Sequence, residues 1–409
     1  MNIFRTISQG TAAAFTAVLL AAGLFSCGED RTYEYEENTA ACHTLQDVMA
    51  EWYLWNDSIR DVSWNDYFAS PTSFISKLTA LSPGDKWSYC LIDTVESDGN
   101  PCGYFNHVDS YGMDFVVMTD PTGETTRQYA RVITVYPNSP AERCGLERND
   151  FISRIDNNNM TTSITSQLVN GRSRTIVVNR LAVNREEATY YWSSIDTVTL
   201  EKSEKVSVDA VLINRIVSPG VGYIMLSNMD ETDMIVASLK TLMEKSPSTI
   251  VFDLRLCNQG TIECAHEIAK LISNVDGTFL QTKWNSSKSS NNTSYAVSAS
   301  ADYRLFFITN GKTQGAPEWL IYGLRSLGQT DMTVIGTKTA GQNVMLKSIP
   351  TNYKFTVYPA VAYVAGHDGA YSYDEGLVPD SVLDELGYVS LYPYGNEYET
   401  ILNTILTDY

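Results

Sequence analysis

The chain has 409 residues, of which 44% are hydrophobic, 11% aromatic and 19% charged, a mix too apolar and varied for a disordered or fibrous chain and long enough for two or three cored domains. With 29 Lys and Arg against 48 Asp and Glu the formal net charge is −19, which opposes extended contact with a phosphate backbone and argues against nucleic acid as a partner. Seven cysteines are too few for a disulfide-framed scaffold of this length and four histidines leave little for metal chemistry, so neither a metal nor a cofactor is expected.

Residues 1–26 carry one charge, Arg5, followed by an alanine-rich apolar run over 11–25. The run is shorter than the roughly 20 residues of a membrane span and reads as a signal peptide. It closes on Leu24-Phe25-Ser26-Cys27, which resembles the lipobox of bacterial lipoproteins, where a small residue precedes the cysteine that is lipidated and becomes the first residue. The resemblance implies a lipid on Cys27 and a place in the cell envelope, on either face of the outer membrane. Only Arg5 is lost with the signal, so the mature chain is one unit more negative. Residues 27–40 include Gly28-Glu29-Asp30 and the acidic stretch 32–38; they read as a tether and resemble the surface-export signals of Bacteroidetes lipoproteins.

Residues 41–97 read as a small helical domain, because Leu45, Val48, Met49, Trp52, Phe74, Ile75 and Leu78 recur at helical spacing between the breaks at Pro71 and Pro83. Its aromatic clusters, Trp52-Tyr53-Leu54-Trp55 and Trp87-Ser88-Tyr89, are expected to pack as core rather than to form a sugar platform. Residues 104–184 show short alternating runs such as Arg131-Val132-Ile133-Thr134-Val135, the pattern of a β-rich module. Residues 185–218 read as a connector. Over 219–409 strand and helix patterns alternate, as around Thr249, Arg304 and Thr333, which predicts an α/β domain. The polar segment 284–294 reads as an exposed loop. Cys90 and Cys102 flank a polar stretch with Cys42 nearby; spacing leaves their pairing open.

Generic catalytic motifs fail on inspection. His266-Glu267-Ile268-Ala269-Lys270 starts like a zinc-protease helix, but the second ligand position holds Lys270. Gly311-Lys312-Thr313 follows a strand like a phosphate loop, yet the glycine required five residues before Gly311 is Phe306. There is no Gly-x-Ser-x-Gly elbow.

Between Tyr136 and Asp156 the motifs Ser139-Pro140-Ala141, Gly145-Leu146, Asp150 and Ile152-Ser153-Arg154-Ile155-Asp156 resemble the PDZ domains of bacterial proteases. In such domains the loop that receives a peptide terminus corresponds here to Tyr111, Gly112, Met113, Asp114 and Phe115; Asp114 within it is a poor neighbour for a carboxylate. A PDZ-like module between a helical and an α/β domain, with Val221-Gly222-Tyr223-Ile224-Met225-Leu226-Ser227 opening and Asp374-Glu375-Gly376-Leu377-Val378-Pro379-Asp380 closing the last domain, is similar to the C-terminal processing (tail-specific) serine peptidases. Glu51-Trp52-Tyr53-Leu54-Trp55-Asn56 and Asp85-Lys86-Trp87-Ser88-Tyr89 resemble the helical domain of their Bacteroidetes members. The resemblance implies a multi-domain chain with an α-helical N-terminal domain, a PDZ-like domain and a peptidase-like α/β domain of the ClpP/crotonase-like kind. It also implies polypeptides, or protein C-termini, as ligands.

That family's chemistry is a serine–lysine dyad with an oxyanion hole of backbone N–H groups. The nucleophile motif corresponds to Thr313-Gln314-Gly315-Ala316-Pro317-Glu318 and the base motif to Gly336-Thr337-Lys338-Thr339-Ala340-Gly341-Gln342, so Gly315 stands for serine and Gln342 for lysine. The oxyanion motif corresponds to Asp253-Leu254-Arg255-Leu256-Cys257-Asn258-Gln259-Gly260, and the oxyanion positions are Ala316 and Gly260. The expectation is a non-catalytic polypeptide-binding homologue. The alternatives are a peptidase with a relocated nucleophile, Cys257 or Thr313, and a surface scaffold that binds glycans or proteins through the aromatic N-terminal region or residues 284–295.

Overall fold

The computed structural model describes residues 32–82, 84–92, 109–184, 186–187 and 189–408; the signal peptide, Cys27 and Cys102 lie outside them. The N-terminal unit is α1 (Thr32–Trp52), 3-10 turns at Asn56–Ser58 and Trp64–Phe68, α2 (Pro71–Leu78) and β1 (Tyr89–Ile92). Ser70 caps α2 by accepting the Ser73 N–H, and Pro71 occupies its first turn, where a missing N–H costs nothing. Cys42, Leu45 and Met49 of α1 bury against Phe74, Ile75 and Leu78 of α2, the one-face spacing seen in the sequence. Two expectations change here. The acidic stretch 32–38 belongs to α1 rather than to an irregular tether, since no Gly or Pro interrupts the chain from Thr32 to Trp52. The unit is also not purely helical, because β1 is borrowed as a strand by the C-terminal domain. Cys42 and Cys90 are both buried and are not joined to each other.

The second unit holds β2 (Met113–Thr119), β3 (Gln128–Val135), α3 (Pro140–Arg143), β4 (Phe151–Ile155), β5 (Asn158–Asn159), β6 (Arg174–Asn184) and β7 (Thr189–Leu200). The strand order is β2-β3-β4-β6-β7, with β5 paired to β4. Gly145 takes a left-handed φ of 81° after α3, a turn that a side chain would strain. The connector expected at 185–218 does not exist as such. Residues 189–200 form β7, paired antiparallel to β6 from Arg174↔Leu200 to Asn184↔Thr189, because Thr, Tyr, Trp, Ile and Val dominate that stretch and suit a pleated surface. Trp192 of β7 stacks on Tyr129 at 5.0 Å.

The third unit begins with β8 (Val211–Ser218), the other half of the expected connector, and β9 (Val221–Leu226). It continues through α4 (Thr232–Met243), β10 (Thr249–Asp253), α5 (Ile262–Ile272), β11 (Gly277–Trp284), β12 (Ser294–Val297), β13 (Arg304–Thr309) and α6 (Ala316–Leu327). It ends with β14 (Met332–Gly336), β15 (Val344–Leu346), β16 (Ile349–Pro350), β17 (Phe355–Tyr358), β18 (Ala360–Ala365), β19 (Ser381–Val382) and α7 (Thr400–Asp408). The main sheet runs β19-β14-β13-β10-β9-β8, a second runs β12-β11-β18-β15, and β1-β17-β16 forms a third. In the main sheet the side-chain period of two divides the core. Ile224, Ile250, Phe252, Leu305, Phe307 and Val334 face α4, α5 and α6; Tyr223, Met225, Val251, Phe306, Ile308 and Ile335 face α7 and the PDZ-like unit. Residues 286, 287 and 289–294 are exposed, as expected of a loop, and the segment is pinned at its start: Asn285 is buried and donates to the Tyr53 carbonyl at 2.9 Å, and Lys288 pairs with Glu51 at 2.6 Å.

One buried charge cluster joins the units. Arg255, wholly buried, binds Asp253 at 2.5 Å, Glu399 at 2.9 Å and Glu385. Glu385 also takes Arg148 of the PDZ-like unit at 2.6 Å. Replacing Arg255 with Met leaves the buried Asp253 and Glu399 without their cation, so Arg255→Met is expected to cost about 3–5 kcal/mol. Lys270→Ala, which removes an exposed i,i+3 partner of Glu267, should cost no more than about 0.5 kcal/mol; urea unfolding of both variants checks the contrast.

Candidate functional site

The site forms where β13 and β14 end side by side in the main sheet. Parallel pairing brings Thr309 opposite Gly336, so the loops that follow, 310–315 and 337–343, leave the same end of the sheet. Thr313 holds the first loop down by donating its hydroxyl to the Leu254 carbonyl at 2.9 Å and receiving the Asn310 N–H at 3.0 Å. The Ala340 N–H reaches the Thr313 carbonyl at 3.0 Å, and the Gln314 N–H reaches the Cys257 carbonyl at 3.2 Å. Three separate sequence segments are thereby stitched into one surface.

Gly315 caps α6 at φ 73°, ψ −121°, a strained backbone region for any residue with a side chain. A Cβ placed there would stand 3.4 Å from the Gln342 Oε1 atom, so the positions assigned to nucleophile and base do face each other. The gap between them is occupied by amide chemistry. Gln314 Nε2 donates to Gln342 Oε1 at 2.8 Å, and Gln342 Nε2 donates to the Val344 carbonyl at 3.0 Å. Both ends of the Gln342 amide are thus used, and the side chain is 6% exposed.

Glu318 organises the arrangement. Its buried carboxylate accepts from Gly315 N–H at 3.0 Å, Thr339 Oγ1 at 2.5 Å, Gly341 N–H at 2.6 Å and Gln342 N–H at 2.8 Å. Burial pushes the Glu318 carboxyl up from its usual range, and these donors pull it back only in part. Trp319 Nε1 adds a bond to the Gln342 carbonyl at 2.8 Å. From sequence, Glu318 reads only as the last letter of a motif. Its spacing from Gly315 is that of a capping box, and that spacing is the signal for its role.

The two oxyanion positions are neighbours. A Cβ on Gly260 would lie 2.8 Å from the Ala316 Cβ and 2.4 Å from that of Met229. The residues ahead of Gly260 fill the loop instead of opening it: Gln259 is buried and donates to Asp230 at 2.5 Å. Cys257 lies in the hydrophobic core with Cys264 and Ala316, and burial pushes its thiol well above its usual range. The Thr313 hydroxyl is committed to the Leu254 carbonyl. Lys338 is exposed, unlike a desolvated general base.

Residues 111–115 form the start of the PDZ sheet and lie outside this centre. Tyr111 and Met113 are core residues, and Gly112 touches Ser139 so closely that a Cβ would fall 2.1 Å from its Cβ. Asp114 alone reaches across, pairing with Lys312 at 2.9 Å, three residues before Gly315. In the sequence Lys312 suggests only a phosphate loop, and its link to the PDZ-like unit carries no local signal.

Residues 220–383 match the family model described as Peptidase family S41, residues 131–180 match a PDZ domain, and residues 43–89 match the Peptidase S41 N-terminal domain. Over 275 residues the chain is 23% identical to the carboxy-terminal processing protease CtpB of Bacillus subtilis, covering 64% of this chain and 54% of that protein; the chain thus spans about half the length of this curated relative. A solved structure described as a candidate S41 protease from Bacteroides fragilis superposes with a TM-score of 0.77 at 23% identity, covering 89% of this chain and 96% of that one. A photosystem II D1 C-terminal processing protease superposes with a TM-score of 0.51 at 16% identity, covering 87% and 94% respectively. These structures establish the fold.

Burial of Cys257 makes a direct prediction. Iodoacetamide applied to the native protein at mildly alkaline pH should leave Cys257 unlabelled while full labelling follows denaturation; peptide mass mapping reads the difference. Rapid native labelling of Cys257 would restore the case for a relocated nucleophile.

Proposed function

We propose that this chain, which belongs to peptidase family S41 and carries the S41 N-terminal and PDZ domains ahead of its peptidase domain, is a lipid-anchored cell-envelope protein that binds polypeptides without hydrolysing them. The observation that carries the reading is the Gly315–Gln342 pair. A glycine offers no nucleophilic atom, and an amide has no lone pair basic enough to take a serine proton at neutral pH. The two positions are held together by the four donors to Glu318, which supports reading them as a retained binding scaffold. Polypeptide is the ligand class that the PDZ and peptidase domains suggest together, with protein C-termini the form that the family resemblance implies. Anchoring through Cys27, on the outer membrane, rests on the lipobox-like Leu24-Phe25-Ser26-Cys27.

Incubating the purified mature protein with casein and with tailed peptides should yield no cleavage above buffer. Cleavage that disappears when Gly315, Gln342 or Thr313 is substituted would overturn the non-catalytic reading. For the anchor, the wild-type protein expressed in a Gram-negative host should partition with membranes and require detergent for release, while Cys27→Ser should move it to the soluble envelope fraction. An unchanged distribution would remove lipidation at Cys27.

A further inference from the structure

The N-terminal unit carries a groove of about 780 Å³ between the first turns of α1 and the 3-10 turn Trp64–Phe68. Glu36, Ala40 and His43 border it from α1, at the i, i+4, i+7 spacing of one helix face. Trp64, Tyr67 and Phe68 form the opposite wall. This face of α1 is distinct from the one that carries Cys42, Leu45 and Met49 into the core.

The aromatic wall is held in place by polar bonds. Asp66 accepts the Ser63 N–H at 2.8 Å and pairs with Lys77 at 2.7 Å. Tyr67 donates its hydroxyl to Gln46 at 2.6 Å and stacks on His43 at 4.2 Å. With the turn fixed in this way, Trp64 stands out into solvent: it is 75% exposed and meets Phe68 edge-on at 4.5 Å. The other six of the seven tryptophans are buried or half-buried. An exposed aromatic pair on a braced turn beside an apolar groove is the kind of surface that marks a contact site.

Position along the chain selects the occupant. Cys27 lies five residues before Thr32, so a lipid on its sulfur enters the bilayer within about 18 Å of the start of α1, and Glu36 follows about 6 Å along the helix. An inserted anchor therefore brings the groove close to the membrane. Trp and Tyr rings favour the layer between headgroups and acyl chains, where an apolar body and a polar edge are both satisfied. Among the described residues no helix is long and apolar enough to cross a membrane, which limits the contact to the surface. Glu36 and Glu37 are exposed at the same end of α1 and oppose an anionic surface, so a zwitterionic one fits. We infer that the Trp64–Phe68 turn and its groove seat the N-terminal unit in the zwitterionic lipid interface beside the Cys27 anchor, and so set which side of the protein faces away from the membrane. The inference rests on the lipid-anchor reading above and adds a second contact to it.

The test uses the full mature protein purified from the membranes of a Gram-negative host and incorporated into phosphatidylcholine vesicles, with or without phosphatidylcholine brominated on its acyl chains, and reads tryptophan emission. Brominated lipid should quench a component of the emission that is lost in Trp64→Phe, with thermal unfolding as the control for folding. Aqueous iodide should quench that component far less in the vesicles than in the Cys27→Ser protein in buffer. If Trp64 stays open to iodide and untouched by brominated lipid while the protein floats with the vesicles, the inference is overturned and the anchor stands, leaving the groove to a soluble glycan or protein. Shielding from iodide without quenching by brominated lipid also overturns it, the groove then holding the protein's own acyl chain. A wild-type protein that stays out of the vesicles, as Cys27→Ser does, overturns the anchor reading and the inference together.

Discussion

The structure depends on a guanidinium that never meets water. Arg255 sits at the end of β10 with Asp253 beside it, Glu385 and Glu399 brought to it from the C-terminal segment, and the Tyr394 ring 4.7 Å below. Tyr223 donates a further bond to Asp253 at 2.6 Å. An isolated charge in that position would be intolerable, whereas a cation among hydrogen-bonded carboxylates is stable, and removing it is what becomes costly. Because Glu385 is shared with Arg148, whose guanidinium lies 3.9 Å from the same Tyr394 ring, one cluster fixes three things at once. It sets where the loop 254–260 begins, where the C-terminal segment packs, and how the PDZ-like unit is seated.

Glu318 has the corresponding role at the next layer of the site. A carboxylate that accepts from Gly315, Thr339, Gly341 and Gln342 clamps the start of α6 to the turn after β14, whatever side chains stand at positions 315 and 342. The alignment of the two loops is therefore independent of the chemistry it would serve. The parallel pairing of β13 with β14 supplies the coarse registration, and the Glu318 bonds supply the last ångström.

Much of this was legible in the sequence because it is local or periodic. The apolar runs that follow Thr249 and Arg304 mark strands of an α/β domain, and the structure buries both faces of those strands. The short motifs single out Gly315 and Gln342, while their juxtaposition comes only from the structure. What was not legible is long-range. The partners of Arg255 lie 130 and 144 residues away at Glu385 and Glu399, and nothing near either glutamate marks it as the mate of a buried cation. β1 could not be seen as a strand of the C-terminal domain because its pairing with β17 crosses most of the chain. β7 was hidden for another reason: on an outer strand with many exposed residues, the hydrophobic contrast that reveals a strand is weak, and only β propensity remained.

These energetics separate what Gly315 and Gln342 contribute from what holds the fold. Gly315 has no side chain to lose, and the site around it is in ordinary contact with Gln342. Gln342 satisfies its amide with Gln314 and Val344, so neither position leaves a buried polar atom stranded, and the penalty for unmet hydrogen bonds is avoided. A buried lysine at position 342 would have imposed a desolvation cost that glutamine does not. Arg255, Glu385 and Glu318 have no such freedom, since removing any one leaves buried charges or donors without partners. Positions 315 and 342 thus tolerate change that Arg255, Glu385 and Glu318 do not. The cavity beside β2 is bordered by Arg255 and Glu385, so its shape is tied to residues the fold must retain.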